Sequence, residues 1–178
     1  MNNLTHILEG SFFSGMFGNI KAEALQHPAT VDTLYELALA DNERVAWRAA
    51  WVLLLLQQEN AELINPKLAD IAEKIPQLKF GGVVRSFLSI LSKSQFTDYS
   101  VEFINFCFDN MLSPKQKPAI QVYCMYILLR VCDIYPDFRP ELQACLEHTE
   151  TNLYSKSFNA ARRKVLKELF SKNKNPSF

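Results

Sequence analysis

Four apolar dipeptides, Leu53-Leu54, Ile90-Leu91, Ile127-Leu128 and Val165-Leu166, recur at intervals of 37, 37 and 38 residues. Each lies in a stretch with the apolar spacing of a helix, and a second helix-like stretch fits between consecutive dipeptides. One hairpin of this size cannot bury its own apolar face, so the next hairpin must cover it. The period therefore predicts an all-α chain, an α-α superhelix (solenoid) of about four helical hairpins with a short extra helix at the N-terminus. A four-helix bundle would need fewer, longer helices and would give no reason for a period at all. Small side chains stand three or four residues before each dipeptide, at Ala49 and Ala50, Ser86, Cys124 and Ala161, where helices can approach closely.

Residues 44–57, RVAWRAAWVLLLLQ, form the most apolar stretch. At about 100° per residue their side chains cover nearly every side of a helix, as in a helix buried by several neighbours. Asp41 and Asn42 are its N-cap candidates. The apolar run from Ala49 to Leu56 is far short of the roughly 20 residues needed to span a bilayer. No membrane association is expected.

Before this helix, Leu4, Ile7, Leu8, Phe12 and Phe13 suit a short amphipathic helix, and the SGMFGN that follows reads as a loop. Residues 1–27 are thus expected to form a capping segment, and Gly10, Gly15 and Gly18 lack the spacing of a phosphate-cradling loop. From residue 28 the predicted helices are 30–39 and the central one, then 65–75 and 80–91. The second half continues with 98–112 and 119–135, then 138–148 and 156–170. Asn65-Pro66 reads as a cap followed by a first-turn proline, and Asp137 as a possible cap. A single repeat domain over 28–171 and a flexible tail over 172–178 follow.

Charge is balanced overall but not along the chain. Residues 1–154 carry 12 basic and 18 acidic side chains, whereas residues 155–178 carry 7 basic and 1 acidic. Only the C-terminal end invites an acidic partner. The four cysteines have no C-x-x-C spacing and His6, His27 and His148 are scattered, so neither a metal nor a cofactor is expected. Apolar surroundings predict buried free thiols. With no basic, apolar leader at the N-terminus, a reducing cytoplasm is the expected compartment.

DNERVAWRAAWVL (residues 41–53) resembles the second helix of a HEAT repeat, in which an acidic cap, a valine, an arginine and small residues precede a leucine. FGGVVRSFLSIL matches partly; the later two second helices keep the apolar register without the arginine. The combination of RAAWVL, VVRSFLSIL, AIQVYCMYILL and PELQACLEHTETNLYSKSFNAARRKVLK is similar to a family of short HEAT-like proteins of Bacteroidetes, often labelled adenylosuccinate lyase. The lyase superfamily carries a serine-bearing S-S-x-M-P-x-K-x-N-P loop on a chain more than twice as long. Here only the NKNP of residues 173–176 overlaps that signature, so a lyase-type enzyme is disfavoured.

A non-enzymatic protein- or peptide-binding scaffold is therefore expected. Trp47, Arg48, Trp51 and Arg85 form the candidate binding surface. Arg48 and Arg85 are expected either to pair with a carboxylate of a neighbouring helix, such as Glu36 or Glu73, or to line one concave surface that takes an anionic partner. Trp47 and Trp51 read as core anchors more than as a stacking platform. The same residues resemble, loosely, the setting of HEAT-like alkylpurine DNA glycosylases, but the acidic balance of residues 1–154 disfavours nucleic acid. On the last helix Lys156, Arg163, Lys164 and Lys167 form a candidate basic outer face, and Arg162, near the apolar stripe, is expected either to snorkel to solvent or to pair with an acid of the preceding helix such as Glu147.

Overall fold

Hairpin follows hairpin in the computed structural model, which describes residues 2–11 and 15–174. Ten α-helices occur among these residues: α1 (Asn2–Glu9), α2 (Met16–Gln26), α3 (Ala29–Ala38), α4 (Glu43–Glu59), α5 (Leu68–Lys74), α6 (Gly81–Lys93), α7 (Val101–Leu112), α8 (Pro118–Ile134), α9 (Arg139–Glu147) and α10 (Lys156–Lys174). The four expected hairpins are α3/α4, α5/α6, α7/α8 and α9/α10. Packing divides the chain into two compact units, Met1–Phe96 and Thr97–Phe178.

In the first unit, α4 packs against α1, α2, α3 and α6, which explains why its sequence is apolar on nearly every side. The Asn42 side chain starts it, accepting from the backbone N–H groups of Arg44 and Val45. Val45, Ala46, Ala49, Ala50, Val52, Leu53, Leu54 and Leu56 are all buried along it. The expected loop after α1 is replaced in part by a second helix. Gly15, at φ 85°, turns the chain into α2, whose Met16, Ile20 and Ala24 form a buried stripe at four-residue spacing. Phe12 and Phe13 lie outside the described residues.

The predicted helix at 65–75 is shorter. Asn65–Lys67 and Ile75–Gln77 are 3-10 turns flanking α5, and the Asn65 side chain makes no cap. Pro76 lacks the N–H that would carry the α-helix past Ile75, whereas Pro66 sits in a first turn that needs no N–H. The apolar stripe Leu68, Ile71, Ala72 and Ile75 is buried as expected.

In the second unit, Ser100 caps α7 by accepting from Phe103 N–H, so the helix opens at Val101 and not at Asp98. Pro118 occupies the first turn of α8. Asp137 caps nothing; it lies in the 3-10 turn Pro136–Phe138 that precedes α9. Ser155 Oγ accepts from Phe158 N–H at the start of α10, and that helix extends to Lys174, into the stretch expected to be a flexible tail.

Seven of the eight dipeptide residues are buried, in α4 and α6 of the first unit and α8 and α10 of the second. Leu166, on the last helix, is half-exposed. Ala49, Ala50, Ser86, Cys124 and Ala161 are buried, the small side chains letting α4 meet α6 and α8 meet α10. Cys107, Cys124 and Cys132 are buried free thiols and Cys145 is partly exposed. Burial, with the hydrogen bond that its thiol donates to Cys124 second, pushes the Cys107 thiol well up, away from reactivity.

Candidate interaction surface

Arg48 does not meet a carboxylate. Its Nη1 donates to the carbonyls of Leu8 and Gly10, both at 2.7 Å, at the C-terminal end of α1, and only 8% of the residue is exposed. Arg44, one turn earlier, adds a bond to Glu9 O at 3.3 Å. The last carbonyls of a helix have no partner within the helix and carry its negative dipole end, so a guanidinium satisfies them as well as a carboxylate would satisfy it. Arg162 behaves alike: it donates to Leu146 O and Glu147 O at the end of α9, not to the Glu147 carboxylate. Arg139 Nε donates to Cys132 O, near the end of α8, at 3.0 Å. The end of α7 is met by Tyr154, whose hydroxyl donates to Leu112 O, and by Gln121 Nε2, which donates to Ser113 O.

Arg85 is placed differently. Its guanidinium lies over the Trp51 ring, 5.8 Å from the centroid, with both residues half-buried. Arg48 and Arg85 thus do not share a surface: one points into α1, the other covers an indole at the edge of solvent. Trp47 is also half-buried, edge-on to Phe17 of α2 at 6.2 Å and 87°. The start of α6 runs so close that a Cβ on Gly82 would stand 2.6 Å from Trp47 Cδ1. The tryptophans are therefore not core anchors in full. With Leu55, also half-buried, they make a ridge of four-residue spacing, Trp47, Trp51 and Leu55, along one side of α4. Leu55 and Gly82 did not stand out in the sequence, although the four-residue step from Trp51 to Leu55 was there to be seen.

On α10, Lys156, Arg163, Lys164 and Lys167 are all exposed. Lys164 is set apart from the others, its Nζ lying 5.4 Å from the centroid of the Tyr126 ring of α8. Among the described residues no ion pair forms with Lys156, Arg163 or Lys167. Elsewhere the first unit has a cleft of about 210 Å³ lined by Asn3, Leu4, Ile7, Glu23, Thr30 and Thr33. It offers one carboxylate and no base or nucleophile paired with it. Tyr35, stacked on Phe87, donates to Asp70 Oδ2 at 2.7 Å; burial first, and then the Asp70 hydrogen bond, raises its hydroxyl pKa far above the usual range. No group of three or more metal-ligating side chains forms among the described residues. No helix among them is long and apolar enough to cross a membrane.

A model of the HEAT repeat domain matches residues 4–169, which takes in every helix described above in whole or in large part. The chain belongs to the HEAT-repeat family. The HEAT match agrees with the helical pairing and with the sequence period, and it extends over α1 and α2, which the sequence period did not reach. No curated protein and no solved structure matches the chain significantly.

Proposed function

We propose that this HEAT-repeat chain is a non-enzymatic scaffold whose ridge of Trp47, Trp51 and Leu55, with Arg85 beside it, seats a segment of another protein. The observation that carries this is Arg85 held over a half-exposed Trp51. Tryptophan and arginine are the residue types on which interface energy concentrates. Rings already held by Phe17 and by the start of α6 lose little freedom on binding. Family membership supports the same role, since stacked repeats offer long surfaces to protein partners. The buried free thiols fit a reducing compartment, the cytoplasm. Kinship with the short Bacteroidetes family rests on the sequence segments quoted above, and its lyase label is not part of the proposal. DNA binding is weakened by Arg48, which is spent on the carbonyls of α1 and unavailable to a phosphate.

Peptides selected from a random library on the immobilised protein provide the test. Selected binders should shift tryptophan emission, because both tryptophans of the chain lie on this ridge. Trp51→Ala should weaken them by about tenfold or more, as should Arg85→Gln, with the melting temperature checked for each. Binders that leave the emission unchanged and tolerate both substitutions would overturn the assignment of this surface.

A further inference from the structure

The side of α10 turned away from the core carries one sign of charge in an ordered row. Phe158, Ala161, Val165 and Leu169 are buried and lie on one face. Opposite them, at successive steps of four, three, four and three residues, stand Lys156, Ala160, Arg163, Lys167 and Phe170. All five are exposed, Phe170 at 45%. At 100° per residue they fall within about 40° of one line, which runs about 21 Å along the helix. Among the described side chains of α10 the one acid is Glu168, off this line.

We propose that this stripe docks an acidic amphipathic helix of a partner protein, independently of the tryptophan ridge. A helix face that only needs solubility would carry both signs. This row has three cations without ion-pair partners among the described residues, and it ends in an exposed phenylalanine. The four-three spacing is that of a helix seam, and Ala160 allows close approach where helices pack about 8–10 Å apart. The row lies on the side of α10 opposite the stripe packed into the core, so no described element covers it. An apolar hairpin does not suit the row; a helix with glutamates or aspartates at matching steps and one apolar residue opposite Phe170 does. A bilayer surface fits less well, because the apolar face of α10 is committed to the core and only Phe170 would insert.

The probe is a fluorescein-labelled helical peptide of about three heptads with glutamates at four-three steps and one terminal leucine. A second peptide has the same composition with its glutamates spread around the helix. Anisotropy at low salt should show binding of the first peptide that weakens by about tenfold at physiological salt, where screening acts over about 8 Å. The Arg163→Gln/Lys167→Gln variant should lose about tenfold in affinity, and Phe170→Ser should weaken binding without changing its salt dependence. Lys164→Gln makes the same charge change per residue beside Tyr126 and should alter affinity by less than about twofold. All variants change exposed residues, and their melting temperatures should match the parent. Equal binding of the permuted peptide, equal sensitivity to Lys164→Gln, or no binding at low salt would overturn the proposal. So would tighter binding to phosphatidylserine vesicles or to duplex DNA than to the designed peptide.

Discussion

At Gly82 two single-residue effects oppose each other. Alanine in place of a helical glycine ordinarily gains up to about 1 kcal/mol in helix propensity. Here the added Cβ would meet Trp47 Cδ1 at 2.6 Å and Cγ at 3.1 Å, distances that force the indole or α6 to move. Overpacking of this kind costs about 1–3 kcal/mol and outweighs the propensity. Gly82→Ala should therefore lower stability in urea titrations and shift tryptophan emission, because the displaced ring is one of the two in the chain. Unchanged stability with unchanged emission would mean that α6 yields freely. Arg85 illustrates the same dependence on a neighbour: its charge was evident, but a guanidinium over an indole needs no carboxylate, and the ring that receives it belongs to a helix 34 residues away.

At the scale of the helix, side chains from later elements finish the ends of earlier ones. α1 is short and would be marginal alone; Arg44 and Arg48 of α4 supply donors to its last carbonyls. Arg48→Met keeps much of the apolar stem and removes the donors, leaving the buried Leu8 carbonyl and the half-buried Gly10 carbonyl without them at a cost of about 2–4 kcal/mol. Amide exchange should quicken in α1 while the centre of α4 stays protected. Arg48→Lys should restore only part of the loss, since one ammonium cannot reproduce the planar fork. Equal quickening throughout α4 would instead mean that Arg48 supports the unit as a whole. α2 went unseen because Gly15 and Gly18 read as a loop, although Met16, Ile20 and Ala24 already held helical spacing. Only their burial against α3 and α4 decides in favour of a helix.

For the whole molecule, the disfavoured lyase reading makes a chemical claim that is directly testable. The three histidines lie on separate elements: His6 belongs to α1, His27 follows α2 and His148 follows α9. The S-S-x-M-P-x-K-x-N-P signature is missing as well. Purified protein incubated with adenylosuccinate should release no fumarate above background, followed by absorbance. Turnover that copurified with the protein and vanished on its depletion would show otherwise. The helices other than α2, their pairing and seven of the eight buried dipeptide residues could be read from the sequence alone, because apolar period and cap chemistry are local properties of the chain. What the side chains at the surface do could not. Whether Trp51 is core or ridge, whether Arg48 faces a ligand or a helix end, and whether Lys164 belongs with Lys167 each depends on which element stands opposite. That juxtaposition is made by contacts tens of residues apart, and it exists only in the folded chain.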